Sequence, residues 1–484
     1  MKEIAKEFEQ MGSGDVRLDR RTQGVAARMG RNPSASIPEA MGGVADREGT
    51  YRLLGNPRVR QEVILEATRH KTIERAYEAG RVRVVHDTTE VRFSGEQRRE
   101  GLGWLDGDGQ GYFLHGALVT GLDGVPLGMV AYQTLFREGE PRGNKKRGSR
   151  KADYLREDKE SLRWLDVFEM ADASLAGIEA VHVFDSGADD FHLIWKVQEA
   201  LSRSVHGEKS YATFRAHHDR EVLVRGVKGQ ERLFKVWGTV PATFSRQANV
   251  SARRDKKDNR RRSAKDRKRH PPRTARTAHL EVRAAPVQVL RPTGVPTTFP
   301  KALQLNAVSV REPHPPKGQA PIEWMLLTTA PIDTAEDVAA VIEHYCGRWV
   351  VEEFWKALKT GCALEKRQLE TRRSHLNALA IFIPIAWNLL KLRDLARDQA
   401  GAQASEVLTD TQLRLLRAAL LKRHGTHLPD APTNRDVLLG IATLGGHIKN
   451  NGDPGWMVLG RGYEQVLTME LGWELALTTG VAKM

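Results

Sequence analysis

The sequence predicts a mixed α/β protein in three parts. Helices occupy residues 1–70, a core of strands and helices occupies 71–370 with a mostly β insertion at about 220–330, and helices return over 371–484. Three observations carry this. The amino-terminal and carboxyl-terminal parts place apolar residues at helical spacing. From Arg81 the period changes to apolar, β-branched runs bounded by Gly-rich turns. A dense basic run with no apolar pattern then interrupts the β-rich stretch.

In the amino-terminal part, Asp15, Arg17, Arg20 and Arg21 open a segment whose apolar side is Val25, Ala26 and Met29. Pro57 should close a following helix near Leu54, because the residue before a proline is pushed out of the α region. Arg-rich helices of this kind suit phosphates and suit solvent equally. Over 81–93, RVRVVHDTTEVRF reads as a strand with Asp87 near its middle. Two more apolar runs follow, joined by Asp123-Gly124, a strong hairpin signal. The three strands form an antiparallel meander. A charged loop over 137–158 leads to an amphipathic helix with Leu162, Trp164, Leu165, Phe168 and Met170. A fourth apolar run then ends in Asp185. Strand-strand-strand-helix-strand, with one carboxylate on the first strand and one ending the fourth, is the layout of a ribonuclease-H-like core. A later helix bearing Glu352 completes three carboxylates.

Residues 213–220 read as a further strand and turn. Between Arg253 and Arg276 stand thirteen Lys or Arg and three Asp, a net +10 out of the chain's +14. Such a run is usually disordered or a solvated arm; its sequence suits contact with a nucleic-acid backbone and suits a solubilising loop. Strand-like alternation resumes over 279–290 and 321–331. After Lys359 the chain is mainly helical. Thr433-x-x-Asp436 resembles a capping box, and Pro454-Gly455-Trp456 is a turn before a short amphipathic helix.

Composition sets outer bounds. A length of 484 residues suits two to four domains. The excess of 75 Lys+Arg over 61 Asp+Glu, with a pI near 9.7, favours an anionic partner, most simply nucleic acid. Two cysteines, Cys346 and Cys362, exclude a disulfide framework and a four-cysteine zinc site, which points to a reducing cytoplasm. Cys346 is expected to pack. The opening MKEIAKEFEQ is charged throughout, so no secretory signal is expected. The 15-residue apolar run Leu376–Leu390 includes Asn377, Pro384 and Asn388; it is too short to span a bilayer and reads as a buried helix, so no membrane partner is expected.

The chemistry centres on Tyr345–Lys359. On one helix at about 100° per residue, Tyr345, Arg348, Glu352, Lys356 and Lys359 share a face, and Val350, Val351, Phe354, Ala357 and Leu358 lie opposite. A carboxylate beside three cations suits a site that holds both a metal and a polyanion. It also suits a solvated face with bridges from Arg348 to Glu352 to Lys356. Asp87, Asp185 and Glu352 are the candidate metal ligands. Mg²⁺ takes oxygen ligands, and two such ions about 3.5–4 Å apart activate a nucleophile and stabilise the leaving oxygen of an in-line displacement. An Asp at a strand end, like Asp185, is also a common turn former.

Tyr345, Arg348, Glu352 and Lys359, with Trp349 and Glu353, match a Tyr-x2-Arg-x3-Glu-x6-Lys signature. In this the chain resembles the bacterial DDE transposases of the IS-four family, the Tn-five transposase-like group. The likeness runs from about residue 12 to 470 and is specific at 50–59, 84–89, 324–361 and 453–462. It implies an amino-terminal DNA-end-binding domain, catalytic acids at Asp87, Asp185 and Glu352, and a carboxyl-terminal dimerisation domain. It further implies backbone-DNA contacts from Tyr345, Arg348, Lys356 and Lys359, and from Arg215. Trp324 falls where that group stacks a flipped base, although its apolar strand suits a core tryptophan equally. The cofactor implied is two Mg²⁺ ions, with Mn²⁺ as substitute. The partners implied are double-stranded DNA, as terminal inverted repeats and target, and a second copy of the chain in a synaptic homodimer. The reaction implied is excision and integration through a hairpin intermediate, in a bacterial cytoplasm. Departures are Asp185-Ser186-Gly187-Ala188-Asp189 for an Asp-Arg-Glu-Ala-Asp run, His217 for a Lys, and Val350 for an Arg. The residues also allow a ribonuclease-H-like nuclease without strand transfer, or a non-catalytic DNA-binding protein.

Overall fold

The structure is a computed structural model, and its described residues are 4–95, 99–105, 109–138, 162–203, 210–252, 273–398, 408–447 and 454–479. Most of the basic run and of the 137–158 loop lies outside them. The chain divides into two compact units. The first combines Met1–Lys146, Asp166–Ala180 and Gly347–Met484, and the second combines Arg147–Leu165 and Val181–Cys346.

The first unit starts with four principal helices, Val16–Arg31, Ile37–Met41, Val44–Gly55 and Gln61–Ala79. Asp15 caps the first through the Arg17 amide, and Ser36 and Glu39 form a capping box on the second. The third ends at Gly55, two residues before Pro57, as proline chemistry requires. Strands β1 (Arg81–Phe93), β2 (Gly103–Trp104), β3 (Gln110–Gly121) and β4 (Pro126–Leu135) then form the expected meander: β3 pairs antiparallel with β1, β2 and β4. Gly124, at φ 97°, adopts the left-handed conformation in the β3–β4 turn.

The two faces of β1 serve two cores, as a period-two strand must. Val82 and Val84 pack with Val167, Ala171 and Leu175 of the helix Leu162–Ser174. Val85, Val91 and Phe93 face the larger core, built on the 27-residue helix Arg372–Asp398. That helix is the one among the described residues long and apolar enough to cross a membrane, yet 83 % of its apolar stretch is buried in this unit. The apolar run was expected to continue to Arg397, and the helix ends one residue later; at its start Arg372–His375 add a polar turn. Helices Asp410–His424, Asn434–Leu444 and Trp456–Thr478 complete the unit, and Thr433 and Asp436 do form a capping box.

Within this core the His375 ring packs tilted against Phe93, centroids 4.3 Å apart, and donates from Nε2 to the Leu369 carbonyl at 2.9 Å. Burial, reinforced by the Arg99 charge, pushes the imidazole down from 6.5 to about 4. Between those values the unfolded chain binds a proton that the folded chain refuses. The contribution is therefore complete above about pH 6.5 and is lost as pH falls towards 4. Thermal melts should show stability falling by up to about 1.4 kcal/mol per pH unit in this window from this one group, and His375→Gln should flatten the profile.

The second unit is built on strands β5 (Glu179–Phe184), β6 (Tyr211–Arg215), β7 (Glu221–Val224), β8 (Glu231–Arg232), β9 (Phe244–Val250), β10 (Arg276–Leu290), β11 (Ala302–Arg311) and β12 (Glu323–Thr328). β5 and β6 are parallel across the helix Phe191–Ser202, the usual crossover, and the remaining pairings are antiparallel. Val308, Val310 and Leu326 pack against Val338, Val341, Ile342 and Tyr345 of the helix Ala335–Cys346. Arg276, the last cation of the basic run, is not part of a solvated arm. It begins β10 and makes a bidentate pair with Glu312 at 3.0 and 2.7 Å.

Candidate active site

The site in the first unit starts from Asp87 on β1. Its register partner on β3 is Gly116, where a Cβ would stand 2.8 Å from the Trp355 ring. The missing side chain makes room for that ring. Trp355 Nε1 then donates to Asp87 Oδ2 at 2.8 Å. Asp87 is only 9 % exposed, so this bond replaces water that the carboxylate has lost.

The single helix expected over Tyr345–Lys359 is broken. The helix Ala335–Cys346 ends, Gly347–Trp349 make a 3₁₀ turn, Val350–Lys356 are α-helical, and Ala357–Gly361 widen into a π turn closed by Cys362 N–H on the Ala357 carbonyl. Gly347 opens that 3₁₀ turn without a side chain. The Arg83 guanidinium occupies the position a Cβ would take there. Tyr345 therefore belongs to the second unit, while Arg348, Glu352, Lys356 and Lys359 belong to the first. Cys346, expected to pack, is exposed because the apolar stripe ends with Tyr345; Cys362 is the buried one.

From the 3₁₀ turn Arg348 reaches both acids. One Nη donates to Glu352 Oε1 at 2.7 Å and the other lies 3.6 Å from Asp87 Oδ1. The side chains are 13 % exposed for Arg348, 11 % for Asp87 and 31 % for Glu352. The expected Glu352–Lys356 bridge is absent from the described contacts. Lys356 instead donates to Glu353 Oε1 at 2.7 Å. Glu353 also accepts from Arg393 and, at 3.0 Å, from Trp456 Nε1. Burial alone would raise the Glu353 carboxyl, but the Lys356 hydrogen bond, the Arg393 charge and the Trp456 indole together hold it below its usual value. Lys359 donates to the Glu90 carbonyl at 2.8 Å, which ties the π turn to β1. Trp349 is 55 % exposed, and Lys356 lies over its ring.

In the second unit Asp185 follows β5 and caps a short turn, its Oδ1 accepting from Gly187 N–H at 2.7 Å. Four residues on, Asp189 is fully buried. Its Oδ2 accepts from the His217 and His218 amides at 2.6 and 2.7 Å, its Oδ1 accepts from Arg220, and its carbonyl accepts from Arg220 Nη2 at 2.8 Å. This anchors the loop after Arg215, the last residue of β6. The His217 and His218 rings stand exposed on that loop, 5.2 Å apart. Trp324 on β12 is half-buried, its ring edge-on to Tyr345 at 5.6 Å, and Tyr345 is only 5 % exposed. Sequence reasoning missed Trp355, Asp189 and Trp456 as partners of this machinery. For Trp355 a signal existed, since it follows Phe354 on the core side of Glu352.

Among the described residues no group of three or more His, Cys, Asp or Glu side chains stands gathered for a metal. Asp87 and Glu352 do converge on one cation, the Arg348 guanidinium. Two hard oxygen donors around a shared positive charge are a donor set that suits Mg²⁺.

Comparison with known families decides the class. Residues 2–59 match the family described as transposase DNA-binding, and residues 179–389 match the transposase DDE domain. The two matches together take in more than half of the chain. The chain belongs to the DDE transposases. DDE domains imply a ribonuclease-H-like core and depend on a divalent metal, generally Mg²⁺. A solved structure similar to part of this transposase is a cryo-EM structure of the piggyBac transposase synaptic complex with hairpin DNA. The identity is 11 %, the TM-score 0.28, and the match covers 69 % of this chain and 51 % of that one. The transposase thus spans about half the length of that chain.

Proposed function

We propose that this protein is a cut-and-paste DNA transposase of the IS-four, Tn-five-like kind. It binds terminal inverted repeats through residues 1–70, pairs two ends as a homodimer, and excises and integrates a bacterial insertion sequence. The observation that supports this most directly is the pairing of Asp87 with Glu352 around Arg348, in a chain that carries both transposase domains.

Asp87, Asp185 and Glu352 are the proposed ligands of two Mg²⁺ ions, which when bound supply charge at the attacking and leaving oxygens of the phosphodiester. The protein's own groups do the rest. Trp355 fixes the Asp87 carboxylate, so that its remaining oxygen is aimed at the site. Arg348, Lys356, Lys359 and Arg215 are the proposed contacts to DNA phosphates, and a guanidinium such as that of Arg348 takes a phosphate bidentately. Tyr345 is proposed as a further contact to the DNA backbone and Trp324 as a platform for an unstacked base. Hydrolysis frees a 3′ hydroxyl, which attacks the opposite strand to close a hairpin. A second hydrolysis opens it, and the same hydroxyl then joins target DNA. No covalent protein–DNA bond is required.

The test is a linear fragment carrying the element's inverted repeats, incubated with the protein and Mg²⁺ or with EDTA. Release of the element ends with Mg²⁺ alone is the expected result. Joining of those 3′ ends to a target plasmid separates a transposase from a simple nuclease. Binding without cutting under any divalent ion would instead mark a non-catalytic DNA-binding protein.

A further inference from the structure

We infer that Arg348 is a resident counter-ion: it holds the place of a divalent cation between Asp87 and Glu352, and a DNA phosphate must draw it away before metal binds well. This rests on the reading of Asp87 and Glu352 as metal ligands.

The geometry supplies the reasons. Each terminal nitrogen of the guanidinium serves a different carboxylate, at 2.7 Å for Glu352 and 3.6 Å for Asp87. Trp355 already holds Asp87 Oδ2, so Oδ1 is the oxygen turned to the arginine. A dication entering between these acids would sit within a few ångström of a permanent positive charge in a largely buried place, where screening by water and salt is weak. The guanidinium and the dication are therefore competitors. Arginine does not lose its charge at any working pH, so it yields by moving.

Movement is available. Arg348 stands in the 3₁₀ turn Gly347–Trp349, outside the α-helix that carries Glu352, so the side chain can swing without unwinding that helix. The next residue, Trp349, is exposed, so the turn borders solvent. A phosphate diester offers the guanidinium a bidentate partner as good as the two carboxylates it leaves. Once it leaves, the acids repel each other and their affinity for a dication rises. DNA and metal should then bind with positive coupling, and by linkage each strengthens the other. The chain without DNA keeps its acids neutralised by its own arginine. That would limit metal-dependent hydrolysis of stray phosphodiesters.

Mn²⁺ affinity, measured by calorimetry on the whole protein without DNA, tests this. Arg348→Gln should tighten Mn²⁺ binding by about tenfold, within the usual range of coupled sites. A short duplex of the element end should tighten it for the wild type and leave Arg348→Gln unchanged. Unchanged or weaker Mn²⁺ binding by Arg348→Gln, with Asp87→Asn and Glu352→Gln abolishing it, would overturn the counter-ion role while keeping the ligands. Mn²⁺ binding untouched by Asp87→Asn and Glu352→Gln would overturn the ligand reading beneath it. If Arg348→Gln does not fold, Arg348→Lys serves: it loses the forked reach to both acids and should bind Mn²⁺ more tightly than wild type, and equal affinity counts against the inference.

Discussion

Glu352→Gln is expected to lower end cleavage by at least about a thousandfold, the loss of roughly 4 kcal/mol of transition-state stabilisation, while DNA-end binding stays near that of the wild type. Glutamine keeps the shape and removes the charge. At 31 % exposure the Glu352 side chain is not a core group, and Val351, Phe354 and Trp355 carry the packing of its helix. The variant should therefore fold. What it loses is a formal negative charge beside Asp87, and an uncharged amide is a poor ligand for a hard cation. Cleavage of a repeat-bearing fragment in Mg²⁺ and gel-shift binding of the same fragment give the two readouts. If folding and binding disappear along with cleavage, Glu352 is structural, a partner for Arg348 and nothing more.

Asp189→Asn is expected to destabilise the protein by about 3–5 kcal/mol, the range for breaking one side of a buried ion pair. The Asp189 side chain is wholly buried and that of Arg220 nearly so. An asparagine would leave the guanidinium without its counter-charge and could not accept from two amides and an arginine together. Breaking an exposed pair in the same unit, such as Arg203–Glu199, should leave stability nearly unchanged, because water and salt screen it. Urea unfolding of Asp189→Asn against Glu199→Gln measures the contrast. A loss below about 1 kcal/mol for Asp189→Asn would mean that the loop after Arg215 is held by other contacts. Because that loop presents His217 and His218 and directly follows Arg215, DNA binding should weaken along with stability.

The local elements were legible where periodicity is strong. The β1 strand with Asp87 inside it, the Asp123-Gly124 turn and the Thr433 cap each follow from a few adjacent residues. The interruption after Cys346 was not legible, because no proline or turn motif marks it, and the need for glycine at 347 shows only when Arg83, distant in sequence, is found against it. The same holds for Glu353, which takes Lys356 from within its own helix but also Arg393 and Trp456 from far along the chain, while Glu352 pairs with Arg348. Spacing along one helix ranks neighbours but cannot weigh partners that arrive from elsewhere. Asp189 was noticed as part of a motif, yet nothing in that motif announces a buried bond to Arg220.

The first unit is woven from three separated lengths of chain, and its core needs the helices Arg372–Asp398 and Trp456–Thr478 to close around residues near Phe8 and Ile64. A ribosome adding about 5–20 residues per second would therefore hold the amino-terminal helices in waiting for many seconds, with their apolar sides uncovered. The helix that carries Glu352 likewise cannot be tied down through Glu353 by Trp456 until that last helix has emerged. Chains cut short by an early stop codon would carry the DNA-binding residues without the core that steadies them. Such fragments should be cleared by cellular proteases sooner than they could occupy the element's ends.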